Sequence, residues 1–201
     1  MKTVFFDVDT QIDFLYPAGA LYVPGAEVIV NAVAGLNRYA GEQGIPVVST
    51  MDAHSENDPE FRDWPPHCVV GTAGQAKPSA TLLEKRVTVP NKPGLPAIEG
   101  AQQILIEKQE LDCFSSVNLD ELLQKLAAER YVVYGVVTEI CVQHAVMGLL
   151  KTGARVELVT DAVWSLSEAE RDQFVSDFTA AGGILTESAT ATGSVLQNVP
   201  S

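Results

Sequence analysis

Residues 131–150 read YVVYGVVTEICVQHAVMGLL. The first seven are apolar apart from Gly135 and rich in β-branched and aromatic side chains. A short run of that kind fits a strand buried on both faces. At Thr138 the pattern changes. The threonine can cap a helix, Glu139 puts an acid in its first turn, and Cys141, Ala145, Gly148 and Leu149 recur at the spacing of one helix face. Cys141 is therefore expected in the first turn of a helix, just past the carboxyl end of a buried strand, where open α/β sheets carry their chemistry. A helix N-terminus favours a thiolate and offers backbone N–H groups to an anion. A packed core cysteine fits the same pattern, so the rest of the chain has to discriminate.

The same alternation extends in both directions. Residues 3–8, TVFFDV, and 45–51, IPVVSTM, read as strands. Between them a helix is expected over 26–43, with Val28, Ile29, Ala32, Val33, Leu36 and Tyr39 on its apolar face and Gly44 as its stop. Residues 82–89 read as a short strand or loop edge, and 103–107 lead an apolar stretch into Lys108. An amphipathic helix over 118–130 turns Leu119, Leu122, Leu123, Leu126 and Ala127 to the core. A strand over 154–160 follows, ending at Asp161, which is expected to cap a turn. Ser167 caps a helix over 168–181, with Glu170 at a capping-box position, and 184–186 gives a last short strand before a small, polar tail to Ser201. Repeated β–α alternation implies an α/β fold: a mostly parallel central sheet with helices on both faces, three layers with Rossmann-type topology. No linker or repeat interrupts the 201 residues, so one domain over 1–201 is expected.

Composition narrows the function. A formal net charge of -13 argues against nucleic acid or an anionic membrane as partner. No apolar run approaches the roughly 20 residues needed to span a bilayer, and the opening MKTVFFDVDT meets an acid at Asp7, too early for a signal-peptide core. Three cysteines, an odd number without framework spacing, suit reduced thiols in a cytoplasm.

Three predicted strand ends supply one reactive group each: Asp9, Lys108 and Cys141. Asp7 and Asp9 share a side by strand alternation, and an Asp at a strand end can equally cap a turn. If the three converge, Asp9 takes the thiol proton and Lys108 favours the anionic forms of both neighbours. Residues 52–78 have weak periodicity, and a loop that long is usually functional. It holds Asp52, His54, Glu60 and His67, and imidazole with carboxylate suits zinc, manganese or iron(II). Ordinary surface histidines fit it as well. Phe14 and Tyr16 could wall a pocket or anchor a loop. Cys68 and Cys113 read as packed thiols, and His144, three residues past Cys141, as a satisfied helix histidine near the same face.

Taken together, these blocks resemble the isochorismatase-like cysteine hydrolases, and within them the nicotinamidases. FFDVDTQIDF resembles the first strand with its D-x-Q-x-D-F motif, STMDAHSENDPEFRDWPPHCVVGT the metal loop, IEKQELDCF the catalytic-lysine segment and YGVVTEICV the nucleophile motif. The resemblance implies an amidohydrolase with Asp9, Lys108 and Cys141 as catalytic residues. It implies a non-proline cis peptide at Val136–Val137, with the N–H groups of Val137 and Cys141 as an oxyanion hole. One divalent metal ion (Zn, Mn or Fe) on Asp52, His54, Glu60 and His67 would orient the ring of a small carboxamide between Phe14 and Trp64. The chain would be a homo-oligomer, dimer or tetramer. A metal-free amidohydrolase, an ether hydrolase acting on a substrate such as isochorismate, and a non-catalytic protein on the same fold are the competing readings.

Overall fold

A computed structural model of the chain describes residues 1–193, so the polar tail from residue 194 lies outside the described residues. Seven strands form one sheet: β1 (Thr3–Val8), β2 (Val47–Asp52), β3 (Arg86–Val89), β4 (Gln103–Lys108), β5 (Arg130–Val136), β6 (Arg155–Trp164) and β7 (Ile184–Thr186). Their order is β3-β4-β2-β1-β5-β6-β7, and every pairing is parallel. The helices are α1 (Ile12–Leu15), α2 (Val30–Glu42), α3 (Leu119–Leu126), α4 (Gln143–Leu150), α5 (Glu168–Ala180) and α6 (Ser188–Ala191).

The winding reverses at β1. The chain moves one way from β1 to β2, later returns from β4 past both to β5, and continues to β6 and β7. Right-handed crossovers then put the helices of the two directions on opposite faces. One core cluster joins Val4 and Phe6 to α3, α4 and α5 through Leu122, Val146 and Phe178; the other joins Phe5 to α2 through Val33 and Leu36. The crevice at the carboxyl ends of β1 and its neighbours is thus the expected ligand position.

Several boundaries differ from expectation for physical reasons. The helix expected over 26–43 begins as a 3₁₀ turn, Ala26–Ile29, so Val28 points outward at 59 % exposure while Ile29, Val33, Leu36 and Ala40 form the buried face. α3 stops at Leu126 because Ala127 adopts a left-handed conformation, φ 45°, leaving Ala127 exposed and Arg130 as the first residue of β5. β6 runs four residues past 160 to Trp164, so Asp161 lies inside it; its carboxylate accepts hydrogen bonds from the backbone N–H (2.8 Å) and hydroxyl of Ser188 and caps the start of α6. Gly135 is required by a close approach: at φ +125°, a Cβ there would lie 2.1 Å from the carbonyl oxygen of Val8 on β1.

Candidate functional site

Four adjacent strands, β4-β2-β1-β5, deliver the site at their carboxyl ends. Asp9 follows β1 in a left-handed conformation, φ 48°. That breaks the alternation that would have set it beside Asp7. Asp7 pairs with Lys77, with Nζ 3.3 Å from Oδ2, whereas Asp9 turns to Lys108, Nζ to Oδ2 3.0 Å. Thr50 of β2 fixes Asp9: its hydroxyl donates to Oδ1 at 2.7 Å, and its carbonyl accepts from the Asp9 N–H at 3.2 Å. Lys108 and Asp52 are register partners on β4 and β2, so their side chains share a face, and the ammonium bonds the Asp52 carboxylate as well as the Glu110 carbonyl at 3.0 Å.

Burial governs the charges. It pushes the Asp9 carboxyl above the ordinary carboxylate value, Lys108 only partly offsetting it. Burial opposes ionisation of Asp52 too, but Lys108, His54 and His67 outweigh it and hold that carboxyl well below its usual range. Lys108 is itself buried, a loss that Asp52 and Asp9 more than repay, so its ammonium stays charged. Burial also drives the Cys141 thiol well up despite Lys108. A helix N-terminus was expected to lower the thiol's pKa; here desolvation outweighs that influence and raises it instead.

Cys141 lies in a π-helical turn, Thr138–Val142, before α4. This wider turn replaces the α-helix expected from Thr138, a feature frequent at functional sites. The Val136–Val137 peptide is cis, as the resemblance implied. Cys141 joins Ala145 and Leu149 in the core, whereas His144 is exposed, off that face.

The loop after β2 gathers the histidines. Asp52, His54 and His67, all buried, offer ligand atoms within 4.8 Å of one another. Asp52 Oδ2 lies 3.8 Å from His54 Nε2 and 3.7 Å from His67 Nε2. Glu60 stands further out, Oε1 3.9 Å from His67 Nε2 and half-buried. His67 Nδ1 meets the Pro65 carbonyl at 2.7 Å, an acceptor, so it carries the proton and Nε2 turns a lone pair to the group. Both ring nitrogens of His54 are buried without an aligned hydrogen bond. Two bare imidazole nitrogens beside a carboxylate suit a divalent metal ion.

Supporting residues that sequence reasoning missed hold this loop. Gln11 clasps the Asp52 backbone, its Oε1 accepting from the Asp52 N–H at 2.7 Å and its Nε2 donating to the Asp52 carbonyl at 2.8 Å. Asp13 accepts from the N–H of Cys68, next to His67, at 2.7 Å, and a Cβ at Gly74 would strike its carboxylate. Asp58 caps the turn carrying Glu60, with Oδ1 accepting the Glu60 N–H at 3.1 Å, and brings Oδ2 to 3.2 Å from His54 Nδ1. The quoted D-x-Q-x-D-F motif contained Gln11 and Asp13, but only the fold reveals what they hold.

Cys141 and the histidine group meet at one cavity of about 70 Å³. Cys141, Val137 and Ile140 border it together with Asp52, Glu60 and His67, and Phe14, Leu21, Tyr22, Val23, Trp64, Leu111 and Leu166 complete the lining. Phe14 packs against His67, with ring centroids 5.4 Å apart and planes tilted by 55°. No lysine or arginine among the described residues borders it. Cys68 and Cys113 are free and buried away from this wall.

A family model described as "Isochorismatase domain" matches residues 3–190. An isochorismatase family protein of Bacillus subtilis is 28% identical over 185 residues, 89% of this chain and 94% of that protein. A nicotinamidase of Escherichia coli is 24% identical over 200 residues, covering 89% and 91% of the two chains. The crystal structure of a pyrazinamidase of Pyrococcus horikoshii in complex with zinc superposes with a TM-score of 0.77 at 27% identity, over 93% of this chain and 99% of that one.

Proposed function

The chain belongs to the isochorismatase domain family, and from that premise we propose that it is a metal-dependent amidohydrolase that converts nicotinamide and water to nicotinate and ammonia. One observation carries this reading: a single small cavity is bordered both by Cys141 and by Asp52 and His67 of the histidine–carboxylate group. A thiol nucleophile and a histidine–carboxylate group on the border of one mostly apolar cleft match a ring that bears a carboxamide and a heteroatom.

Asp9 takes the Cys141 proton as the sulfur adds to the carboxamide carbon, and the N–H groups of Val137 and Cys141 receive the oxyanion. The raised proton affinity of Asp9 suits this exchange. Asp9 then gives the proton to the nitrogen, the C–N bond breaks, ammonia leaves, and the acyl group stays on sulfur as a thioester. A water molecule yields a proton to Asp9 while its oxygen adds to the thioester carbon. The C–S bond breaks and the proton returns to sulfur. Lys108 keeps its charge between Asp9 and Asp52 throughout. Asp52, His54 and His67, with Glu60 as an outer donor, would hold one zinc, manganese or iron ion, a Lewis acid that attracts the ring nitrogen. Phe14 and Trp64 wall the ring. The free thiols suit a reducing compartment such as the cytoplasm.

The ether-hydrolase alternative fits less well. Isochorismate is a dianion, and the described cavity border carries Asp52 and Glu60 with no lysine or arginine. Ammonia release from nicotinamide, measured before and after chelation and with each metal added back, tests the reading. Chelator-sensitive release lost in Cys141→Ala supports it, and full release in chelator sinks the metal assignment.

A further inference from the structure

The nucleophile turn carries a carboxylate that this chemistry does not use. Glu139 was expected merely to favour a helix start. Instead its Oε1 accepts hydrogen bonds from the N–H groups of Leu166 and Ser167, both at 2.7 Å, while Oε2 is buried with no hydrogen-bond partner among the described residues. One residue earlier, the Thr138 hydroxyl donates to the Trp164 carbonyl at 2.9 Å. Two successive residues of the turn thus grip the segment between β6 and α5. In a full capping box the N–H of Ser167 would go to Glu170; here Ser167 caps α5 through its hydroxyl, and Glu139 has taken its N–H. Leu166, held by this grip, borders the cavity although the residue is 52 % exposed. A leucine so exposed has little packing to fix it, so its backbone bond decides where it stands.

We propose that Glu139 is a positioning residue that sets the width of the cavity, holding Leu166 as a wall in register with Cys141, and that the two together determine how bulky an acyl group reaches the thiol. The inference rests on the cavity being the substrate site. The wall hangs from the same turn as the nucleophile, two residues before Cys141, so wall and sulfur keep their spacing whatever α5 does.

The test compares two alkylating agents at Cys141, iodoacetamide and its bulkier N-benzyl analogue, with adducts located by peptide mass and the ratio of the two rates as the readout. It needs no turnover, so it separates this inference from the nicotinamidase reading: a protein inert to nicotinamide still reports its wall. Glu139→Ala is expected to raise the bulky-to-small ratio about tenfold, on the scale of one methylene in an apolar pocket. Leu166→Ala should do the same, and the double variant should add nothing further, because both changes remove one wall. Glu139→Gln keeps an acceptor oxygen and should restore the wild-type ratio, which a merely structural carboxylate would not predict. An unchanged ratio in Glu139→Ala, with or without a change in Leu166→Ala, overturns the proposal. Should Glu139→Ala fail to fold, amide hydrogen exchange of the intact protein decides: Leu166 and Ser167 protected against exchange support the grip, and exchange at the rate of an open loop overturns it.

Discussion

Asp7 and Asp9 lie two residues apart, each is buried, and each faces a buried lysine, yet their surroundings differ. Asp7 accepts from the hydroxyls of Thr10 (2.6 Å) and Ser49 (2.9 Å) and from the Asn37 amide (3.4 Å), with Lys77 at 3.3 Å. Asn37 is pinned in turn by the Tyr134 hydroxyl, which donates to it at 2.5 Å, and by the Thr81 carbonyl, which accepts from it at 2.7 Å. Every donor there has a destination. Asp9 has Thr50 on one oxygen; its other oxygen has Lys108 at 3.0 Å but no aligned hydrogen bond, because Lys108 also serves Asp52 and the Glu110 carbonyl. A saturated ion pair fixes the fold, while an incompletely satisfied one keeps a carboxyl whose proton can move.

The contrast breaks most visibly at Asp9. Asp9→Asn should cut kcat about 10³- to 10⁴-fold, the upper range for lost acid–base catalysis, while the urea midpoint holds. Asp7→Ala should do the reverse, lowering stability by about 3–5 kcal/mol in urea titrations because Lys77 is left buried and unpaired. A large loss of stability in Asp9→Asn, or of turnover in a folded Asp7→Ala, would erase the distinction. The same contrast extends to His54, whose nitrogens lack aligned bonds. Asp58→Ala should weaken metal binding about 10- to 100-fold, read by competition with a coloured chelator, if Asp58 orients that ring. The smallest effect sharpens the pH behaviour. In the proposed mechanism Asp9 must be ionised to accept the thiol proton, so a raised pKa predicts that activity falls with decreasing pH already above the ordinary carboxylate value of about 3.9. Thr50→Val removes a bond that favours the ionised form, and the acid limb of kcat/KM should move up by about 0.5 to 1 pH unit.

The central strands were legible because burial on both faces leaves unbroken apolar runs: Thr3–Val8 has the bounds read from sequence and Val47–Asp52 lies within two residues of its reading, while the edge strand Ile184–Thr186, not buried, also has its expected bounds. Helix ends were less so, since a left-handed Ala127 or a 3₁₀ start at Ala26 leaves no compositional mark. Asp9, Lys108, Cys141, Asp52, His54 and His67 were all singled out in advance, because their residue types sit at strand ends or in an overlong loop, and the structure brings them together. Glu60, expected among the metal donors, borders the same cavity with Oε1 3.9 Å from His67 Nε2.

The sequence by itself determined the order of strands and helices, the reversal-prone β–α alternation and the chemistry-bearing side chains, since these are written in local periodicity and residue type. Only the tertiary structure decided which lysine each aspartate meets, that the Cys141 thiol is desolvated, and that Asp58 approaches the His54 ring and Glu139 the Leu166 backbone. Those outcomes depend on pairs such as Lys77 with Asp7, Thr50 with Asp9 and Glu139 with Leu166. Their members are far apart in the chain, and neither their contact nor their loss of water exists until the sheet has closed around them.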